Sequence, residues 1–194
     1  MTEQLRAEIH GDHRAMHDGQ ANGARALRAY SVVDGGDIVG IMQRGGAMVR
    51  IPAWTVVGHH LILGAHPADT MPPNVDVIAN VDSFRFYDVP AGVFYMHSSY
   101  PDTNAIPDST ELRLAATFLN DLRAAAKTVF VHCRLGLNRS ALVVGLMLIE
   151  EGYRANDAIE LLRRLRSPYV LENSTFERYL LSEDQKHGAD SSFS

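Results

Sequence analysis

The chain has 194 residues and a formal net charge of −5, with 46 % hydrophobic and 21 % charged residues. This length suits one α/β domain, or one domain carrying an extension, and the composition excludes a disordered or fibrous protein. The net negative charge gives no reason to expect broad binding to nucleic acid or to anionic membranes.

The chain has one cysteine, Cys133. A single cysteine excludes an internal disulfide and any cysteine-rich zinc framework. The first residues have no apolar core of the kind found in a secretory signal. The longest apolar run, residues 141–149, is half of the roughly 18 residues needed to span a bilayer. We therefore expect a cytoplasmic protein that does not bind membranes, and no obligate partner is evident.

Residues 1–50 differ from the rest of the chain and are predicted to form an N-terminal extension. A helix is predicted near residues 24–30, followed by two apolar runs, 38–42 and 47–51. Arg44-Gly45-Gly46 separates the two runs, and Gly-Gly in such a position predicts a β-hairpin. The main domain is predicted over residues 51–183 and a polar C-terminal tail over residues 184–194.

From Trp54 onward, short β-branched and aliphatic runs alternate with helical patterns. Strands are predicted at residues 56–57, 61–63, 75–78, 93–95 and 129–131. Helices are predicted to begin near Ser109, to lie buried over 141–149, to cover 159–165, and to open at Ser174 with Glu177 as a capping box. This alternation predicts an α/β fold with a central, mostly parallel sheet flanked by helices.

The segment from the strand at 129–131 to the helix at 141–149 carries the chemistry. Between them lies the sequence His-Cys-Arg-Leu-Gly-Leu-Asn-Arg-Ser, residues 132–140, which we call the cradle loop. A loop wrapped ahead of a helix turns its amide N–H groups inward, and the helix N-terminus adds positive potential, so the segment can hold an anion. Gly136 permits a turn that a side chain would obstruct.

With these amides, three side chains of the cradle loop would form most of a phosphoryl-transfer site. The thiolate of Cys133 is itself an anion that the inward amides would stabilise, which favours a nucleophile over a buried structural thiol. The planar fork of Arg139 can hold two phosphate oxygens at once. Ser140 can donate its hydroxyl to the sulfur when the thiolate must leave again.

The pattern His132-Cys133, five residues, Arg139 and Ser140 resembles the signature of the protein-tyrosine and dual-specificity phosphatases. The resemblance covers residues 54–181 and includes Leu-Ile-Leu-Gly-Ala at 61–65 and Val-Ile-Ala-Asn-Val at 77–81. It implies the cysteine-phosphatase architecture, in a small bacterial-like or phage-like member, and hydrolysis through a phosphocysteine without metal or other cofactor. It also implies that His132 supports the loop by hydrogen bonding, with a plain structural role as the alternative. The phosphate would bind to the inner positions of the loop, which are Arg134, Leu135, Gly136, Leu137 and Asn138.

The same resemblance implies a general acid on a loop ahead of the cysteine. Asp102, in Ser99-Tyr100-Pro101-Asp102-Thr103-Asn104, fits this place, although an Asx-turn would also explain an Asp after a proline. Asp108 is the second choice, but it stands where an N-cap is expected. Asp82 and Asp88 precede the strand at 93–95 and fit less well.

Three further groups of residues are expected to have no functional role. His10, His13 and His17 would share one face of a helix, but N-terminal histidines are usually solvated, and no metal is expected. Arg163, Arg164 and Arg166 form a basic patch that is expected to be a solvated helix face, with substrate docking as the alternative. Asn173 is expected to be an ordinary loop residue, with positioning of water as the alternative.

The predicted substrate is a phosphorylated protein. The inner loop positions lack the lysines that lipid-directed relatives place there, which argues against phosphoinositides. A shallow pocket would accept phosphotyrosine and could also accept phosphoserine or phosphothreonine. One alternative is RNA 5′-triphosphatase chemistry, because Asn138 before Arg139 is similar to those relatives, although the acidic charge disfavours nucleic acid. The other is a phosphate-binding pseudophosphatase without turnover.

Overall fold

A computed structural model of the protein describes residues 34–44, 47–67, 71–83 and 87–190. The helix predicted near residues 24–30 and the histidines His10, His13 and His17 lie outside the described residues.

The described strands form one six-stranded sheet with the order β1-β2-β3-β6-β4-β5. The neighbouring pairs β3–β6, β6–β4 and β4–β5 are parallel, whereas β1–β2 and β2–β3 are antiparallel. Every residue of β3, β4 and β6 is buried, as expected for parallel strands covered on both faces. The strands are β1 (Asp34–Arg44), β2 (Ala47–Gly58), β3 (Leu61–Gly64), β4 (Val77–Asn80), β5 (Phe94–His97) and β6 (Val129–His132).

Strand β2 is longer than the sequence pattern suggested. Arg44 of β1 lies opposite Ala47 of β2, so the two strands pair antiparallel on either side of positions 45 and 46. The same β2 continues to Gly58 and pairs with β3, with Thr55 opposite Leu63. The expected boundary between residues 50 and 51 therefore falls inside one continuous strand, and the described residues 34–44 and 47–50 share the sheet of the main domain.

Four described helices pack around one core on one face of the sheet. Helix α2 is its centre, because every side chain from Arg139 to Ile149 is buried. The last helix continues through the first part of the segment that was expected to be a polar tail. The helices are α1 (Ser109–Ala124), α2 (Arg139–Glu150), α3 (Ala155–Leu165) and α4 (Ser174–Asp190). Together with the sheet they confirm the predicted α/β class.

Strand alternation separates two apolar clusters on opposite faces of the sheet. Leu61, Leu63, Val129 and Val131 point to the core that contains the helices. Ile62 and Phe130 point to the opposite face, where they meet Trp54 and Ile78 under the segments between β3 and β5. Because both faces of β6 are covered, the end of this strand is held rigidly, and the cradle loop begins there.

The helix caps confirm one sequence inference and correct another. Asp108 caps α1, accepting from the backbone N–H of Thr110 at 2.8 Å and of Glu111 at 3.1 Å. The predicted capping box of Ser174 and Glu177 is wrong. Asn173 is the cap of α4, because its side-chain oxygen accepts from Thr175 N at 3.1 Å, while Glu177 is engaged in an ion pair with Arg163 at 3.0 Å.

Among the described helices, none combines the length and apolar character that crossing a bilayer requires.

Candidate active site

The cradle loop lies at the carboxyl end of the central parallel strands. Strand β6, between β3 and β4, ends at His132, and α2 begins at Arg139. Ligands of parallel α/β sheets bind at this edge, where loops leave the strand ends and helix N-termini converge. The topology thus places the loop between two neighbouring strand ends and the first turn of the buried helix.

A cavity of about 190 Å³ opens over the loop. Cys133 is only 3 % exposed, yet it lines this cavity, so the thiol is reached through the hollow of the loop. The residues that surround the cavity are Asp102, Cys133, Arg134, Leu135, Leu137, Asn138, Arg139, Tyr169 and Glu172. The structure therefore brings together the predicted nucleophile, the predicted acid, the arginine and four of the predicted phosphate-binding positions.

Ser140 contacts the sulfur directly. Its hydroxyl donates to Cys133 Sγ at 3.3 Å, and Ser140 is fully buried at the start of α2. A hydroxyl donor at the sulfur stabilises negative charge there, which is what a thiolate nucleophile and leaving group needs.

The backbone of the cradle loop turns at Gly136. This residue has a φ of +70°, a left-handed conformation that glycine adopts without strain.

Arg139 is anchored at its outer end and by its backbone. Its Nη1 donates to Asp82 Oδ1 at 2.9 Å and to Ser83 Oγ at 3.3 Å. The hydroxyl of Tyr100 donates to the carbonyl oxygen of Arg139 at 2.8 Å. Burial, with a smaller effect of Cys133, raises the pKa of Tyr100 well above its usual value, so this hydroxyl stays a donor.

The N-terminus of α2 is not closed by its own capping residue. Asn138 occupies the N-cap position but makes no side-chain capping hydrogen bond. Its side chain instead donates to Asp102 Oδ2 at 3.0 Å. The side chain of Asn138 therefore does not engage the first-turn amides, the groups that bind anions at a helix N-terminus.

Two asparagine side chains hold the carboxylate of Asp102 over the cavity. Asn138 donates to one oxygen, and Asn173 Nδ2 donates to the other at 2.8 Å. Asn173 also donates to Thr103 O at 2.9 Å, and its backbone N–H donates to Asn138 Oδ1 at 3.1 Å. The loop that carries Asp102 is thus tied both to the cradle loop and to the start of α4.

A second cavity of about 220 Å³ adjoins the first. Asp102, Arg134 and Arg139 line both cavities. The remaining walls of the second cavity are Asp82, Ser83, Pro101 and Thr103. Arg139 and Asp102 therefore line both the cavity that contains the sulfur and its neighbour.

His132 is the first residue of the cradle loop and is fully buried. Its Nε2 is 2.7 Å from the hydroxyl of Tyr87, and burial lowers the pKa of His132 from 6.5 to about 3. The imidazole is consequently neutral at physiological pH. Support of the loop by His132 stays a prediction, and Tyr87 is the side chain to which the structure joins it.

Three residues near the site have contacts that the sequence pattern did not reveal. Asp82, a weak candidate for the acid, pairs with Arg139 instead. Asn173 bonds to Asp102 rather than being an ordinary loop residue. The predicted solvated arginine patch is wrong for Arg166, which is 5 % exposed and hydrogen-bonds to the cradle loop. One feature of the sequence could have indicated this. Arg166 directly follows the end of α3, so the helical periodicity that places Arg163 and Arg164 on the polar face does not determine whether Arg166 is exposed or buried.

Comparisons with known proteins agree with this geometry. The family model "Dual specificity phosphatase, catalytic domain" matches residues 71–186, which is more than half of the chain. The mouse protein "Phosphatidylglycerophosphatase and protein-tyrosine phosphatase 1" is 31 % identical over 88 residues, which cover 45 % of this chain and 46 % of that protein. The chain thus matches about half the length of this curated relative.

Two solved structures share the fold. One is a mouse putative dual specificity phosphatase complexed with zinc tungstate, with a TM-score of 0.65, 20 % identity, and coverage of 72 % of this chain and 91 % of that chain. The other is PTPMT1 in complex with PI(5)P, with a TM-score of 0.61, 22 % identity, and coverage of 72 % and 99 %. From the matched family model, the chain belongs to the dual-specificity phosphatase family.

Proposed function

We propose that the chain hydrolyses phosphate monoesters through a phosphocysteine intermediate, with phosphotyrosine proteins as its substrates. One observation carries the proposal: Cys133, with the Ser140 hydroxyl 3.3 Å from its sulfur, opens into a cavity that Arg139 and Asp102 also line. This arrangement supports Cys133 as the nucleophile, Arg139 as the cation for the phosphate and Asp102 as the acid in one cavity, with Ser140 as the stabiliser of the sulfur's negative charge.

In the first step, the thiolate of Cys133 attacks phosphorus as the bond to the leaving oxygen breaks. Asp102 gives its proton to that oxygen, because an alkoxide or phenoxide leaves poorly. The fork of Arg139 and the amides of the cradle loop bind the equatorial oxygens. The products of this step are the free alcohol or phenol and a phosphocysteine.

In the second step, the ionised Asp102 takes a proton from water as the water oxygen attacks phosphorus. The sulfur–phosphorus bond breaks and inorganic phosphate is released. The Ser140 hydroxyl donates to the departing thiolate, which returns the enzyme to its starting state. Two amide donors hold Asp102, but each carboxylate oxygen has a second lone-pair site, so a substrate oxygen or a water can still approach it.

The walls of the first cavity support an aromatic phosphate ester as substrate. Leu135, Leu137 and Tyr169 supply apolar surface beside Cys133. Glu172 is an acidic side chain at the same cavity, and Arg134 is the basic side chain there besides Arg139. The carboxylate of Glu172 favours a substrate with one phosphate over a densely phosphorylated one, because it would repel a further phosphate.

A phosphatidylglycerophosphate is the second candidate substrate, because the named mouse relative matches 88 residues of the chain at 31 % identity. The RNA 5′-triphosphatase alternative depended on Asn138. The contacts of Asn138 with Asp102 and with Asn173 give a reason for asparagine at this position that is independent of RNA.

The test is hydrolysis of p-nitrophenyl phosphate by the full chain with EDTA present, followed by a comparison of substrates. We expect turnover that orthovanadate inhibits and that Cys133→Ser abolishes. Phosphotyrosine peptide should give the highest kcat/KM among phosphotyrosine peptide, phosphothreonine peptide, phosphatidylglycerophosphate in mixed micelles and 5′-triphosphate RNA. Highest turnover of the lipid would establish the second candidate instead, and binding of phosphate esters without any turnover would identify a pseudophosphatase.

A further inference from the structure

Arg166 lies directly behind the cradle loop. It follows the last residue of α3, and its side chain is buried. Its Nε donates to the carbonyl oxygen of Gly136 at 2.7 Å, and its Nη2 donates to the carbonyl oxygen of Leu135 at 2.8 Å. One planar guanidinium thus holds two successive carbonyls of the loop, the fork-like arrangement for which arginine is suited and lysine is not.

The same guanidinium is fixed from its other side by the sheet. Nη2 also donates to Pro52 O at 3.1 Å, and Nη1 lies 3.3 Å from Thr55 Oγ1 and 3.4 Å from Leu63 O. These contacts come from β2 and β3, whose positions are set by strand pairing. Arg166 therefore couples the cradle loop to two rigid strands rather than to another loop.

Peptide geometry converts this anchoring into an effect on the phosphate site. In a trans peptide, the carbonyl of one residue and the N–H of the next point in opposite directions. When the Leu135 and Gly136 carbonyls face Arg166, the N–H groups of Gly136 and Leu137 face the opposite side of the loop. Leu135 and Leu137, on either side of Gly136, line the hollow that Cys133 also lines, so the amides between them can point at a bound oxyanion.

The packing around Gly136 shows how closely the loop is seated on this support. A Cβ atom at Gly136 would lie 2.3 Å from Gly64 O and 2.6 Å from Arg166 Nη2. The loop backbone is thus in direct contact with the end of β3 and with the guanidinium. The buried guanidinium also brings a positive charge to the back of a loop whose front must hold an anion.

We propose that Arg166 is a positioning residue of the phosphate site, which orients the amides of the cradle loop towards the oxyanion. This inference depends on the proposed phosphate chemistry, but it concerns anion binding and thiolate reactivity rather than turnover. It also replaces the expectation that Arg166 belongs to a solvated basic patch.

The experiment compares Arg166→Met and Arg166→Lys with Arg164→Met, which removes an exposed arginine of the last turn of α3, two residues earlier in the chain. Tungstate binding to the full chain is measured by calorimetry, and alkylation by iodoacetamide at one fixed pH reports on Cys133 alone, because the chain has no second cysteine. We expect Arg166→Met to weaken tungstate binding by at least about tenfold and to slow the alkylation of Cys133. The substitution removes the positive charge and the two hydrogen bonds to the Leu135 and Gly136 carbonyls. Arg166→Lys should give an intermediate loss, and Arg164→Met should stay within about twofold of wild type.

Leu119→Ala separates positioning from general destabilisation. Leu119 is fully buried in α1, so its truncation lowers the unfolding temperature without touching the loop, and we expect tungstate affinity to be kept. A folded Arg166→Met that binds tungstate and reacts with iodoacetamide as Arg164→Met does would overturn the proposal. If Arg166→Met does not fold, wild-type tungstate affinity in Arg166→Lys would overturn it equally. Neither readout requires catalysis, so a wild-type chain without phosphatase activity would disprove the proposed function and still leave this inference testable.

Discussion

Arg139 and Asp82 form a buried ion pair, with 2.9 Å between Nη1 and Oδ1 and side chains that are 9 % and 4 % exposed. The pair connects the ends of two neighbouring strands. Asp82 follows the end of β4, and Arg139 begins the helix that follows β6. The carboxylate holds one nitrogen of the guanidinium and so fixes the direction of its fork. This pair orients the cation that would bind phosphate.

Loss of this pair should reduce both stability and activity. Asp82→Ala leaves the Arg139 charge buried without its carboxylate, and we expect a loss of about 3–5 kcal/mol in the free energy of unfolding. Asp82→Asn keeps an oxygen acceptor, so it should cost less stability while lowering kcat/KM by about tenfold. Urea unfolding and p-nitrophenyl phosphate kinetics measure the two effects.

Asp88→Asn, at an exposed position, is the matched control. Equal kinetics in both asparagine variants would show that Asp82 does not orient Arg139.

Removal of the predicted acid should matter in proportion to the basicity of the leaving group. Asp102→Ala should slow phosphates with poor leaving groups by about 10²–10⁴-fold and change good leaving groups little. Asp108→Ala is the control, because the backbone N–H groups of Glu111 and Thr110 keep the pKa of Asp108 below its usual value and make it a poor proton donor. A series of aryl phosphates compares the variants. Equal losses for good and poor leaving groups would remove Asp102 from this role.

Asn173 should contribute to turnover through Asp102. Asn173→Ser keeps a good N-cap for α4 but is too short to donate to Asp102 Oδ1 as Asn173 does at 2.8 Å. We expect the unfolding temperature to stay near that of wild type and kcat for poor leaving groups to fall by about tenfold. Asn104→Ala, in the same exposed loop, serves for comparison. A variant with unchanged kcat would mean that the loop holds Asp102 in place without this amide.

The buried His132 predicts a specific dependence of stability on pH. Its folded pKa of about 3 lies below the unfolded value of 6.5, so the unfolded chain binds more protons between these values. The stabilising contribution is complete above about pH 6.5 and is lost as the pH falls towards about 3. Within that window the loss approaches about 1.4 kcal/mol per pH unit.

Urea unfolding of wild type and His132→Asn at about pH 7 and about pH 4.5 tests this dependence. We expect the asparagine variant to lose less stability between the two conditions, because its side chain does not titrate. His59→Asn, at an exposed position, should retain the wild-type slope. The same slope in His132→Asn and wild type would contradict neutral burial of the imidazole.

The central part of the fold could be predicted because several independent patterns agreed there. The strand at 129–131, Gly136 and the apolar run at 141–149 specify strand, turn and buried helix without reference to distant residues. Strand β6 (Val129–His132) and helix α2 (Arg139–Glu150) confirm them. Asp108 as a helix cap was predictable for the same reason, since a cap depends only on residues three positions away.

The remaining parts depend on contacts between residues far apart in the chain. Arg166 contacts Pro52 and Thr55, which precede it by more than a hundred residues, and periodicity cannot reveal such partners. Asn173 and Asp102 are separated by 71 residues. The continuous strand β2 escaped prediction because Pro52, which cannot donate a backbone hydrogen bond, separates the apolar runs at 47–51 and 56–57, whereas pairing with strands on both sides maintains the strand.

The most direct test of the account is mass spectrometry of the acid-quenched protein during turnover of a phosphate ester. In the proposed mechanism the nucleophile is the single cysteine, so the phosphate should appear on a peptide that contains Cys133. Ser140→Ala should increase the amount of this species, because the thiolate then leaves the phosphocysteine without its hydroxyl donor. Cys133→Ser should show neither the species nor turnover. Rapid hydrolysis with no phosphate on Cys133 in any variant, or sustained turnover by Cys133→Ser, would contradict the proposed mechanism.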